Sequence, residues 1–303
     1  MIVLKNIGKE FGGKKILDQI SFHISKNENV GIIGLNGAGK TTLLNIISGM
    51  LKPDEGFIRV NGVENPMEQY SVLQNISYIS GTRTQLWEDL KIKDSFENCM
   101  QMYQVERNRA RKQMEILNEV FEITPFMHAT PQNLSLGERM RCELVYGLLA
   151  EPEIFLLDEA MIGLDVSIKY KILQYFEQYK KEKKSTMIFT SHNLAEVERL
   201  CDRVILLDKG KIIFDGSTRR MQQEFAPLYH MEVRIAGGLP DFEDLPLDKF
   251  FLEKDVLDIV FDKQKIETAQ ILRHIMARCE IKDIKLHEPN LEGTIQKIYK
   301  REE

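Results

Sequence analysis

Val30-Gly31-Ile32-Ile33-Gly34-Leu35-Asn36-Gly37-Ala38-Gly39-Lys40-Thr41-Thr42-Leu43 is the stretch that decides the fold. Its first four residues form a short continuous apolar run, the composition of a strand covered on both faces. Thr42, Leu43, Ile46 and Ile47 then recur at helical spacing. Between strand and helix, Gly34, Gly37 and Gly39 let the backbone wrap so that its N–H groups converge on phosphate oxygens. Lys40 brings a positive charge to the outer phosphates, and the helix dipole adds to it. The Thr41 hydroxyl is placed to ligate Mg2+. Strand, glycine turn, Lys-Thr and helix in that order read as a phosphate cradle, not an ordinary turn.

Further along, Ile154-Phe155-Leu156-Leu157-Asp158-Glu159 is an apolar strand ending in two carboxylates. Asp158 at the strand's carboxyl end can hold the water shell of Mg2+, and Glu159 can polarise an attacking water as general base. Two acids after a strand could also mark a helix start, but the cradle upstream favours the chemical reading. Leu134-Ser135-Leu136-Gly137-Glu138 carries two readings. Ser135 with Glu138 three residues on is a capping box. A helix start with free N–H groups and a glycine is also a γ-phosphate site, and its place shortly before the Asp158 strand supports that role.

Other runs complete the pattern. Ile20, Phe22 and Ile24 alternate with polar residues, and Gly56–Val60 runs into Asn61-Gly62, a strand entering a hairpin turn. Residues 87–150 read as helical. Val105, Ala110, Met114, Leu117, Val120 and Phe121 recur at near-helical spacing, and Pro125 and Pro131 break the pattern. A new amphipathic helix with Met140, Leu144, Val145, Leu148 and Leu149 on its apolar face follows. Thr186–Phe189 and Val204–Leu207 are buried-strand runs separated by helical stretches, so a parallel sheet with helices on its faces is expected. After about residue 217, alternating runs at Met231–Ile235 and Leu257–Phe261 and a helix with Ala269, Leu272, Ile275 and Met276 predict a small α+β appendage. Gly237-Gly238-Leu239-Pro240 reads as a loop within it.

In this order the motifs resemble the ATP-binding subunit of ATP-binding cassette (ABC) transporters. The phosphate loop, a helical insert, Leu134-Ser135-Leu136-Gly137-Glu138, Leu156-Leu157-Asp158-Glu159, Gly163-Leu164-Asp165 and Thr190-Ser191-His192 all stand in place. The likeness spans about residues 1–217. It implies an α/β P-loop NTPase fold with an antiparallel β subdomain, a helical subdomain at about 87–150, and the appendage at 218–303. It implies ATP and Mg2+ as cofactors. Gly34, Asn36, Gly37, Ala38, Gly39, Lys40, Thr41 and Thr42 would hold the ATP, with Phe11 stacking on adenine unless it is a core residue. Ser135, Gly137 and Glu138 match the segment that closes over ATP held by the opposite subunit of a dimer. Asp165 matches the loop crossing that interface, and His192 the histidine that contacts the γ-phosphate beside Lys40 and Glu159. Thr82 stands where the family has a metal-side glutamine, and Gln85 is the candidate replacement. Leu136 and Glu138 replace commoner Gly and Gln, and Ala160-Met161 replace Pro-Thr.

The stretches Gly81–Trp87 and Leu134–Leu144, with Glu288–Gly293 near the end, are similar to a bacterial subgroup of multidrug and antibiotic exporter ATPases. The partners implied are an integral membrane permease and a second ATPase subunit, either an identical copy or a paralogue. Peripheral attachment to the inner, cytoplasmic face of the cell membrane follows. Composition agrees with this. Of 303 residues, 43% are hydrophobic and 29% charged, and the net charge of -5 argues against a chain built to grip nucleic acid. No apolar stretch reaches the roughly 18 residues of a membrane-spanning helix. Cys99, Cys142, Cys201 and Cys279 lack metal-site or redox spacing and read as core fillers. A soluble ABC ATPase acting on ribosomes or DNA would carry two cassettes or a long coiled coil, and neither is seen. A module in which ATP only switches dimer state would not need Glu159 and His192.

Overall fold

Apolar strands and helices alternate along the chain and sort into two units, Met1–Gly216 and a second that starts at Ser217. The computed structural model describes residues 1–183, 185–191, 194–225, 228–237, 241–242, 245–263 and 265–287.

The first strands are β1 (Ile2–Phe11), β2 (Lys14–Ile24), β3 (Asn29–Ile33), β4 (Glu55–Val60) and β5 (Val63–Glu64). They are followed by β6 (Ile76–Ser80), β7 (Ile154–Asp158), β8 (Thr186–Thr190), β9 (Arg203–Asp208) and β10 (Lys211–Ser217). The helices between them are α1 (Lys40–Ile47), α2 (Tyr70–Leu73), α3 (Ile92–Met102) and α4 (Arg107–Phe121). Then come α5 (Leu136–Leu149), α6 (Val166–Lys183) and α7 (Leu194–Leu200). No helix among the described residues is long and apolar enough to cross a membrane.

Two sheets result. β2, β1, β4 and β5 form one, antiparallel throughout, and β10-β9-β3-β8-β7-β6 the other. In the second sheet β9, β3, β8, β7 and β6 run parallel. Every residue of β3, β6, β7 and β8 is buried, as strands covered on both faces must be. A single apolar core joins Ile20 of the antiparallel sheet, Leu43 and Ile47 of α1, and Ile32, Leu156 and Ile188 of the parallel sheet. Register matters most here. Ile32 lies beside Thr190, Thr190 beside Asp158, and Asp158 beside Ser80. The carboxyl ends of four parallel strands are thus level, which makes the crevice where ligands bind in such sheets.

Helix α5 departs from the expected amphipathic pattern. Cys142, Glu143 and Gly147 are buried along with Met140, Leu144, Val145, Leu148 and Leu149. It packs against α3, α4 and β6 together, so from Cys142 to Leu149 no face is left for water. Gly147 makes the last contact possible, since a Cβ there would lie 2.6 Å from Ser77 Oγ and 2.7 Å from Ile79 Cδ1.

The second unit contains α8 (Thr218–Phe225), β11 (Leu228–Ala236), β12 (Leu247–Glu253), β13 (Val256–Asp262), α9 (Thr268–Met276) and β14 (Glu280–His287). Its sheet is antiparallel in the order β12-β13-β11-β14. Met231, Val233, Leu257, Ile259 and Phe261 point into a core completed by Ile271 and Ile275 of α9. Met276, expected on that apolar face, is 67% exposed, because the buried stripe is the narrow i, i+4 pair. Glu288–Gly293 and Gly238 to Pro240 lie outside the described residues.

Candidate functional site

The loop from Gly34 to Gly39 is shaped by close backbone approaches. A Cβ on Gly34 would lie 2.4 Å from the Leu207 carbonyl, and one on Gly39 2.7 Å from Leu17 Cδ2. Gly39 also has φ 104, a conformation that L side chains rarely adopt. It leads into α1, which has no side-chain cap and no acidic residue in its first turn. The starts of α4 and α6 differ. Glu106 accepts from the N–H groups of Asn108 and Arg109, each at 2.9 Å, and Asp165 from Ser167 and Ile168, each at 3.0 Å. The first N–H groups of α1 have no side-chain acceptor and are open to an external anion.

Lys40 opens this helix and is only 5% exposed. Its Nζ donates to the carbonyls of Gly34 at 2.8 Å and Leu35 at 3.2 Å. Burial lowers the Lys40 pKa, and the nearby carboxylates of Glu159 and Asp158 resist that fall. The result is a largely buried cation held by loop carbonyls, which an incoming phosphate can replace as partner. Asn36 and Gly37 are exposed, Ala38 is buried, and Thr42 is half-buried at the helix's third position.

Asp158 sits beside Lys40, at the end of β7. It is buried, and hydroxyls satisfy both of its oxygens. Oδ2 accepts from Thr41 Oγ1 at 2.8 Å and Tyr78 OH at 3.1 Å, while Oδ1 accepts from Thr190 Oγ1 at 2.7 Å. Burial, with the Asp158 charge second, pushes the Tyr78 phenol upward, so it stays a donor. Thr41 and Asp158 form a compact oxygen pair of the kind that hard divalent cations take, so the donor set fits Mg2+.

Glu159 follows with φ 54, the left-handed region, which costs a non-glycine residue about 1–2 kcal/mol. The neighbours over-determine this conformation. Its N–H donates to Thr190 O at 3.1 Å and Thr190 Oγ1 at 3.0 Å, and its carbonyl accepts from Ile162 N–H at 3.1 Å. Thr190 therefore bridges both carboxylate residues. Glu159 and Asp158 both stand close enough to Lys40 for their charges to act on it.

The remaining residues fall elsewhere. Ser135 Oγ donates to Glu138 Oε2 at 2.7 Å, Ser135 N–H donates to the same oxygen at 2.8 Å, and Glu138 N–H donates back to Ser135 Oγ at 3.4 Å. The capping box is real, and the Ser135 bonds hold the Glu138 carboxyl below its ordinary range. Gly137 lets the first turn of α5 rest on Gly163, whose carbonyl would be 2.4 Å from a Cβ. No hydrogen bond among the described residues joins Ser135, Gly137 or Asp165 to Lys40, Thr41 or Asp158. Phe11 is 50% exposed, with Lys9 Nζ 5.3 Å above its ring, so it is not a core residue. His192 lies outside the described residues.

Gln85 is not drawn to Asp158 or Thr41 by any hydrogen bond among the described residues. Its backbone N–H instead donates to both oxygens of Glu143, each at 3.1 Å, and Thr84 Oγ1 donates to Glu143 Oε1. Thr82 Oγ1 pairs with Ser80 Oγ at 3.0 Å. Glu143 thus anchors the loop that replaces the expected glutamine segment, a role that sequence reasoning did not find. Burial raises its pKa, opposed by these hydrogen bonds. Glu143→Ala leaves the donors of the loop without their acceptor, with an expected loss of about 1–3 kcal/mol in urea unfolding. Because the folded pKa is raised, charging Glu143 costs stability as pH rises from the usual carboxylate range through that value. The stability difference between the parent and Glu143→Gln should change across that window and level off above it.

A family model described as ABC transporter matches residues 17–162. The chain is 32% identical over 227 residues to the ABC transporter ATP-binding protein NatA of Bacillus subtilis (strain 168), covering 74% of this chain and 92% of that protein. It is 27% identical over 302 residues to the linearmycin resistance ATP-binding protein LnrL of the same organism, covering 96% of each. Among solved structures, a dimeric ATP-binding cassette in a post-hydrolysis state, bound to ADP and Pi, matches with a TM-score of 0.64 and 24% identity. It covers 72% of this chain and 98% of that one. With an α/β fold whose glycine cradle, lysine and paired carboxylates meet at the sheet's carboxyl edge, the chain belongs to the ABC transporter family, as an ATP-binding, ATP-hydrolysing subunit that powers transport.

Proposed function

We propose that two copies of the chain, or one copy and a paralogue, close over two ATP molecules and drive a separate membrane permease in the direction of export. The observation that carries this reading is the division of labour in the chain. Lys40, Thr41, Asp158 and Glu159 converge, whereas Ser135 bonds to Glu138 and Gly137 packs closely on the Gly163 loop. The second half of the site would come from another subunit, with Asp165 at the junction. Export rests on likeness to LnrL, a resistance protein by name.

In this reading Gly34, Asn36, Gly37, Ala38, Gly39 and Thr42 surround the phosphates, and Phe11 offers its exposed ring to the base. Lys40 exchanges the carbonyls of Gly34 and Leu35 for phosphate oxygens. Thr41 and Asp158 hold Mg2+, which when bound neutralises phosphate charge. Gln85 would need to turn from its present place to join them. Glu159 takes the proton of the attacking water, and His192 steadies the γ-phosphate. Ser135 leaves Glu138 to meet the nucleotide of the facing subunit.

A groove of about 730 Å3 between α3 and α4, lined by Phe96, Met100, Val105, Met114 and Met127, would receive the membrane partner. This would hold the chain at the inner membrane face. Ser135→Arg tests the composite site, because it blocks the helix tip without touching the cradle. In light scattering, MgATP should double the mass of the parent at low turnover and leave the variant monomeric, with nucleotide still bound. A variant that dimerises and hydrolyses ATP like the parent would refute the shared site.

A further inference from the structure

We propose that the second unit binds a divalent transition metal ion through His230, Glu232 and His287, with Asp258 orienting His230. The site lies on the sheet face opposite the core. On β11, Met231 and Val233 are buried, so His230 and Glu232 point to the other side. Register then brings in two neighbours. His287 of β14 pairs with His230, and Asp258 of β13 pairs with Glu232.

The side chains converge accordingly. The His230 and His287 rings stack with centroids 5.5 Å apart. His287 Nε2 is 3.4 Å from Glu232 Oε1, and His230 Nε2 is 2.5 Å from Asp258 Oδ1. One ligand atom from each of His230, Glu232 and His287 falls within 4.8 Å of the others. Bonds of about 2.0–2.2 Å in a tetrahedral shell place ligand atoms roughly 3.3–3.5 Å apart, so adjustments of about an ångström complete the shell.

Two readings compete for this cluster. One is a solvated cross-strand patch in which each imidazole simply pairs with a carboxylate. The stacked rings favour the other: two imidazoles face each other across a strand pair, one cation is held by His230, Glu232 and His287, and Asp258 holds the His230 ring. The ligand types select the ion. Imidazole with carboxylate suits Zn2+, Co2+ or Ni2+, whereas the Thr41–Asp158 oxygens suit Mg2+. Asp258 supplies the carboxylate–histidine contact that fixes ring orientation at such centres. Bound metal would also pin β14, an edge strand whose residues are nearly all exposed, to β11 and β13.

The test uses the full chain, stripped with chelator and titrated with Zn2+ or Co2+ alone, without nucleotide. One ion per chain is expected, with Co2+ giving a visible d–d spectrum free of thiolate charge transfer. His287→Ala and His230→Ala should each weaken binding at least tenfold, and Asp258→Asn about 10- to 100-fold. All of these positions are on the solvent side of the sheet, and melts in chelator should match the parent. Hydrogen exchange of residues 280–287 should slow with metal in the parent and not in His287→Ala. Parent binding no tighter than that of the His230→Ala/His287→Ala double variant would overturn the proposal. So would binding that survives those changes and disappears in Cys279→Ser.

Discussion

Glu159→Gln will stop ATP turnover while ATP stays bound, with kcat falling by about 10^2- to 10^4-fold, the usual contribution of a positioned general base. Glutamine has nearly the same shape, so the left-handed turn, the Thr190 bonds and the neighbouring Asp158 pair should persist. What disappears is the oxygen able to accept a proton from water. Single-turnover hydrolysis and nucleotide binding, measured separately, distinguish chemistry from affinity. Because hydrolysis is what reopens the proposed dimer, the variant with MgATP should remain doubled in mass for hours. A companion change tests the strain. Glu159→Gly relieves the positive φ and should gain about 1 kcal/mol in unfolding while losing turnover equally. Turnover within a few-fold of the parent in Glu159→Gln would remove Glu159 from the mechanism.

The legible part of this site is local in sequence. Gly34, Gly39, Lys40 and Thr41 could be read because the spacing encodes the backbone conformation itself. Asp158 and Glu159 could be read because an apolar run stops at them. The hidden part depends on pairing over distance. Tyr78 meets Asp158 only through the register of β6 on β7, across 80 residues, although a tyrosine within a buried strand signals that a partner is needed. Glu143 meets Thr84 across 59 residues, and its burial follows from α5 being enclosed by α3, α4 and β6. From Cys142 to Leu149 the helix is covered on all sides and has no polar face to betray it, so the apolar stripe seen in the sequence understated it. Strand β14 was missed for the opposite reason: Glu280-Ile281-Lys282-Asp283-Ile284-Lys285 is too charged to look like a strand, as suits an exposed edge. Phe11 was ambiguous in the sequence because a ring beside a strand serves core and ligand equally well. Its exposure takes it out of the core.

Lys40→Met should abolish tight nucleotide binding and leave the fold intact or slightly firmer. The loss follows from charge. Truncating one partner of a close, desolvated charge pair costs about 2–5 kcal/mol, which is roughly thirtyfold to a few thousandfold in affinity. The firmer fold follows from the sign of the pKa shift. In the chain without nucleotide, burial holds the Lys40 pKa below its ordinary value, so the unfolded chain binds that proton more tightly. Keeping Lys40 charged therefore costs the folded state, and parent stability rises as pH climbs from the lowered pKa toward the ordinary lysine range. Methionine removes that cost and fills the same volume with an apolar chain. Nucleotide reverses the balance, since phosphate charges stabilise the ammonium that burial disfavours. ATP affinity of the parent should then fall at high pH as Lys40 loses its proton, and the residual affinity of Lys40→Met should lack that particular drop. Calorimetric titration with ATP from neutral to alkaline pH, run beside thermal melts of both proteins, measures both effects. A variant that binds ATP as the parent does would show that the cradle's charge is not what holds the triphosphate.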